Sequence, residues 1–181
     1  MSQWIIDPAH SEVKFKVKHL VISTVTGQFK SVRGTVQAAK PDFSDARIQF
    51  EADVDSITTN NEQRDAHLKS PDFFDAAHHP TLSFVSTSSK PKGDGTFELK
   101  GDMTIRGTKR SIVLDVAYHG TVKGFDGDVA AFEITGTLNR QDFGLRWNAM
   151  TEAGGVVVSD EVKLDIAVEL KTADVNELVE A

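Results

Sequence analysis

Residues Ser11–Leu20, SEVKFKVKHL, decide how the rest of the chain is read. Val13, Phe15 and Val17 are apolar while Lys14, Lys16 and Lys18 are charged, the period-two pattern of a strand with one buried face and one wet face. His19 falls on the apolar parity, so a regular strand carries an imidazole to the end of its hydrophobic row. The ring is either a core histidine bonded to backbone or a polar group placed where the row meets a rim.

The same alternation recurs along the chain. ARIQFEADV sets Ile48, Phe50, Ala52 and Val54 against Arg47, Gln49, Glu51 and Asp53; SIVLDVAYHG aligns Ile112, Leu114, Val116 and Tyr118; EVKLDIAVEL aligns Val162, Leu164, Ile166, Val168 and Leu170. Weaker strands are expected over 32–39, 82–88, 97–105 and 129–138, bounded by turns such as KGDG and GFDG. About eight antiparallel strands result. Long strands with one polar face must cover their edges, which closure into a barrel does completely, although a sandwich buries one face equally well. With aromatic residues at only 8% and inner faces rich in Val, Ala, Ile and Leu, an eight-stranded barrel leaves room for an apolar ligand.

One segment, NNEQRDAHLKSPDFF, has a helical pattern over about residues 60–70, with Asn60 as the expected cap, Gln63 at the capping-box position and Pro71 as the stop. Leu20–Thr26 is expected to be a short helical or irregular piece. Residues 1–171 are assigned to the barrel and 172–181 to an acidic tail.

Composition excludes several function classes. The 181-residue chain has no cysteine, so thiol nucleophiles, thiolate metal sites and disulfides are absent. A net charge of -7 sets up a global field that repels nucleic acid and anionic lipid surfaces, and no nucleic-acid partner is expected. The longest apolar runs are too short to span a bilayer as helices. MSQWIIDPAHSE has neither a basic n-region nor an apolar h-region, so the sequence as written is expected to be cytoplasmic, whereas a leader removed before it begins makes it periplasmic.

The six histidines show no HExxH pair or comparable ligand spacing, so no metal is expected. No G-x-S-x-G elbow surrounds any serine, so no catalytic residue is assigned. Polar residues on the apolar parity gather at strand ends: Ser11 and His19 bracket the first strand, while Ser56 and Thr58 continue the Ile48–Val54 row. The helix adds Arg64, Asp65 and His67, with Leu68 on the face of Arg64. These groups either lock the helix to the rim as a satisfied polar network or receive a ligand head group.

The quoted pieces WIIDPAHSEVKFKVKHL with TVTGQF, SITTNNEQRDAHLKSPDFFDAAHHPTLSF, GDMTIRGTKRSIVL and NRQDFGL resemble, in order and over nearly the whole chain, the YceI-like family of polyisoprenoid-binding proteins. The resemblance implies an all-β, antiparallel, lipocalin-like extended barrel with a short helix near one end. It further implies a bound isoprenoid-like lipid in place of a cofactor, no catalysis, and frequent homodimers. The implied function is non-enzymatic binding, storage or transport of a polyprenyl or isoprenoid-quinone-like amphiphile. Motif positions carried over include His10, Asp72, Arg140, Asp142 and Gly144. RGTK, usually followed by Pro in the family, continues here with Arg110 and Ser111, a change expected to affect a turn.

The expected head-group or rim residues are therefore Ser11, His19, Ser56, Thr58, Arg64, Asp65 and His67. A tail is expected against Val13, Phe15, Val17, Phe50, Val54, Leu68, Phe73 and Phe74. The far walls are assigned to Phe84, Ile112, Leu114, Val116, Phe143, Leu164 and Ile166. The alternative is a cavity enzyme acting on an apolar small molecule, with His19 or His67 as general base and Asp65 orienting it.

Overall fold

The computed structural model describes residues 2–149, 155 and 157–173. Eleven strands lie among them. In chain order they are β1 (Ser2–Ile6), β2 (Glu12–His19), β3 (Ser23–Phe29), β4 (Val32–Ala38), β5 (Arg47–Asp53) and β6 (Ile57–Thr58), then β7 (Thr81–Gly93), β8 (Thr96–Ile105), β9 (Thr108–Gly124), β10 (Gly127–Asn139) and β11 (Glu161–Thr172). One helix, α1 (Glu62–Lys69), lies between β6 and β7.

Eight strands close a ring in the order β1, β4, β5, β7, β8, β9, β10, β11, with β11 returning to β1. Every pairing is antiparallel, so the eight-stranded barrel is the fold of the chain. The closure has a joint. β11 pairs β1 through Leu170–Thr172 and β2 through Lys163–Ala167, so β1 and β2 act as one interrupted strand. At the break Asp7 caps a 3-10 turn over Pro8–His10, its carboxylate accepting from Ala9 N–H at 3.0 Å, while Asp7 N–H donates to Glu169 O. β2, β3 and β6 extend the sheet beyond the ring. Thr172 still pairs with Trp4, so the barrel reaches one residue past the expected boundary, and the expected tail from 174 onward falls outside the described residues.

Of the helical or irregular piece expected at Leu20–Thr26, Leu20–Ile22 form an irregular turn and β3 takes the rest from Ser23. TVTGQF alternates weakly because Gly27 takes an inward position, and that position is spoken for: Gly27 stands opposite Phe15, and a Cβ there would lie 2.1 Å from Phe15 Cζ. The aromatic ring lies across the bare glycine, as Phe84 lies across Gly101. The register of β2 is thereby fixed with Val13, Phe15 and Val17 facing in.

A second correction concerns β5. The regular strand stops at Asp53, and Val54–Ser56 form a 3-10 turn, so the alternation beginning at Ile48 does not continue to Ser56 and Thr58. After the turn Ile57 and Thr59 are buried instead. Arg110 and Ser111 lie within β9 opposite Met103 and Asp102 and form no turn; the turn precedes them, at Arg106–Gly107.

Aromatic side chains close the end of the barrel away from α1. The β4–β5 loop turns Phe43 inward, with φ of 61°, against Trp4, Tyr118 and Phe132 at centroid distances of 5.2, 5.3 and 5.0 Å. Phe43 is 3% exposed and forms the floor.

Candidate functional site: an apolar cavity with a polar mouth

Above that floor the barrel encloses a cavity of about 580 Å³. Thirteen of the fifteen residues expected against a lipid tail border it: Val13, Phe15, Val17, Phe50, Leu68, Phe73, Phe74, Phe84, Leu114, Val116, Phe143, Leu164 and Ile166. Two do not. Val54 is 2% exposed in the 3-10 turn, where its N–H donates to Pro80 O, and belongs to the packed core. Ile112 stands opposite Gly101, which the Phe84 ring covers, and is buried in the wall.

Most polar side chains bordering the cavity come from α1, the segment before it and the end of β2: Thr59, Asn61, Gln63, Arg64, His67 and His19. α1 starts one residue later than expected. Asn61 is the cap, its Oδ1 accepting from Arg64 N–H at 3.0 Å, and Asn60 takes a φ of 61°. That shift places Arg64 at the third helical position, so no capping box forms, and the helix stops at Lys69 ahead of Pro71.

Thr59 organises the mouth. Its hydroxyl donates to Asp65 Oδ1 at 2.6 Å and accepts from Arg64 Nε at 2.7 Å; its N–H donates to the same Asp65 oxygen, and its carbonyl accepts from Arg64 Nη2 at 2.7 Å. Asp65 Oδ1 is thus taken by Thr59, and among the described residues Asp65 bonds to neither His19 nor His67, which corrects the base-and-orienter pairing expected of the enzyme alternative. Arg64 Nη1 makes no hydrogen bond among the described residues, and no side-chain polar atom is both buried and unpartnered, so Nη1 remains accessible at the mouth. His67 Nε2 lies 2.8 Å from Asp72 Oδ2, and its ring meets Trp147 edge-on at 4.6 Å and Phe73 at 5.1 Å.

His19 borders the cavity, as its parity requires, and is half-buried. Among the described residues its side chain makes no hydrogen bond, at the end of the apolar row. Ser11 is elsewhere. Eight residues of strand separate it from His19, a span of about 26 Å, and its hydroxyl bonds to the backbone of Glu169. Ser56 Oγ donates to Asp53 O at 2.6 Å and Thr58 Oγ1 accepts from Asn60 N–H; neither borders the cavity. The 3-10 turn gave their place to Thr59.

Arg140, carried over as a motif position without a rim role, and Trp147, not singled out from the sequence, also border the mouth. Arg140 is 4% exposed. Its Nε donates to Ser159 O, Nη1 to Leu145 O and Trp147 O, and Nη2 to Val158 O, with Asp160 Oδ1 at 3.5 Å. Four of its N–H groups donate to carbonyls and the guanidinium faces the Asp160 carboxylate, so Arg140 ties two loop segments together. Burial lowers its pKa against the opposing pull of Asp160, yet a guanidinium stays charged.

The only cluster of metal-ligating groups among the described residues is Asp7, His10 and Glu169, within 4.8 Å of one another at the β1–β2 joint. It does not border the cavity, and Asp7 already accepts from Ala9 and faces His10 Nδ1 at 2.8 Å. The hydrogen bond to His10 holds the Asp7 carboxyl below its ordinary pKa and raises that of His10.

Residues 4–170 match the family model of the YceI-like domain. The chain belongs to the YceI-like family. A UPF0312 protein of Staphylococcus aureus strain MSSA476 is 34% identical over 176 residues, covering 96% of this chain and all of its own. Among solved structures, the YceI protein of Campylobacter jejuni superposes with a TM-score of 0.75 at 30% identity, covering 88% of this chain and 91% of its own. A polyisoprenoid-binding domain from Saccharophagus degradans, implicated in plant cell wall breakdown, superposes at 0.66 and 14% identity, covering 96% and 100%, a likeness of fold. No helix among the described residues is long and apolar enough to cross a membrane.

Proposed function

We propose that this YceI-like protein binds, without catalysis, one long isoprenoid-like amphiphile, a polyprenyl or isoprenoid-quinone-like chain, and stores or carries it. The observation that supports this is the division of the cavity: apolar walls down to an aromatic floor, with most polar side chains at one mouth. At about 30 Å³ per small group, 580 Å³ holds roughly twenty methylene-sized groups. At ~0.8 kcal/mol each the gross gain is about 16 kcal/mol, of which association and ordering offset about 4–15 kcal/mol or more. His19 and Arg64 Nη1 face the head group in this reading. A homodimer is the expected assembly, measured by sedimentation.

The test is a chain-length series of polyprenols offered to lipid-stripped protein. Affinity rises with each isoprene unit until the cavity is filled and then levels off. Binding that is indifferent to chain length, or turnover of the bound compound, contradicts the proposal.

A further inference from the structure

The β2–β3 hairpin carries its most exposed apolar side chains at its tip. Leu20, Val21 and Ile22 are 41, 72 and 87% exposed and consecutive. They continue β2 directly beyond His19, Val17 and the cavity mouth, and Leu20 N–H is held by Val157 O, itself part of the mouth. Their backbone is unusual. Leu20 and Val21 have φ of 53° and 67°, a region that bulky and β-branched residues seldom occupy. Glycine or asparagine would relieve that strain, and no buried packing of Val21 compensates for it. Lys18, at the base of the tip, is exposed, and its Nζ bonds to the Thr24 hydroxyl with no carboxylate partner among the described residues. A tip of three side chains is far smaller than the ~800 Å² per partner of a stable protein interface. It suits shallow insertion beneath lipid head groups, with a cation left at phosphate level.

We infer that Leu20–Val21–Ile22 is a membrane-docking tip that seats the cavity mouth on a phospholipid bilayer, so that an apolar chain passes between bilayer and barrel without crossing water. The inference rests on the lipid-carrier reading and adds the surface from which the lipid comes. The chain has no cysteine, so Ile22→Cys accepts a single polarity-sensitive dye. Vesicles of phosphatidylcholine, with and without phosphatidylglycerol, are then added. The dye is expected to report an apolar environment with both vesicle types, the apolar tip and not the chain's net charge of -7 supplying the attraction. Ile22→Asp should weaken vesicle binding roughly tenfold or more, as for withdrawing one inserted aliphatic side chain. Its thermal melting and its equilibrium uptake of a short soluble polyprenol should match the wild type.

Unchanged vesicle binding in Ile22→Asp, or no vesicle binding by the wild type, overturns the inference. So does a dye shift that needs only higher protein concentration, which assigns the tip to a second copy. Loss of polyprenol uptake in the wild type defeats the carrier reading itself, whereas normal uptake without docking defeats only the tip.

Discussion

Replacing Arg140 with methionine keeps an unbranched side chain in place and deletes five N–H donors at once. Leu145 O, Trp147 O and Ser159 O lose the partners described above, while Val158 O keeps a bond from Asn148 Nδ2 at 2.8 Å. Each buried carbonyl left unpaired costs about 1–3 kcal/mol. The two loop segments can open toward water and recover part of that, so a net loss of about 3–5 kcal/mol is expected, the size seen when one member of a buried charged network is removed. The loss should be local first. Amide exchange should accelerate at Leu145, Ser159 and Leu20, whose N–H groups donate to Arg140 O, Lys18 O and Val157 O across these segments, before it accelerates in β9 or β10. Arg140→Lys restores the charge but not the fork, and recovers only part of the protection. Urea unfolding combined with residue-resolved hydrogen exchange measures both effects. An Arg140→Met protein with wild-type midpoint and wild-type exchange at those amides would refute the idea that this guanidinium braces the mouth.

Gly27→Ala places a methyl group against the Phe15 ring and should destabilise by about 1–3 kcal/mol; in a Phe15→Ala background the penalty should disappear, and additivity in the double-mutant cycle would show that the two residues do not touch. Val116→Asp, an unpaired charge on a wall residue 7% exposed, should cost about 3–5 kcal/mol in thermal or urea unfolding or abolish lipid uptake; a variant matching wild type in both would place Val116 in water. His10 should titrate above 6.5 in an NMR pH series, and Asp7→Asn should return it toward that value. The stabilisation from the raised His10 is complete below pH 6.5 and lost as pH rises through its folded pKa, while that from Asp7 is complete above 3.8 and lost as pH falls through its lowered pKa. The pair therefore acts between those two folded values, and a His10 titration indifferent to Asp7→Asn would contradict the contact.

The inward rows of β2, β9 and β11 were legible in the sequence because each strand is regular over several residues, and parity alone carried Phe15, Leu114 and Ile166 to the cavity. Where the backbone leaves that period, parity misleads. The 3-10 turn at Val54–Ser56 moved the mouth position from Thr58 to Thr59, and a glycine lying beneath Phe15 hid β3. Arg140, Trp147 and Phe43 act through long-range packing: a guanidinium reaching carbonyls up to 19 residues away and a loop phenylalanine turned in by a positive φ. Neither leaves a periodic trace. His19 was legible because it ends an unbroken row, while the backbone bridge that sets it beside Val158 pairs residues far apart in the chain and leaves no trace in the local pattern.

Native mass spectrometry of the protein purified from its own host reads whether the cavity holds one long apolar chain. Each chain should carry a single added mass that is released by organic extraction and identified as a polyprenyl-type lipid with a polar end. Protein that flies bare from gentle purification, and that takes up no polyprenol when one is supplied, would contradict the lipid-carrier reading.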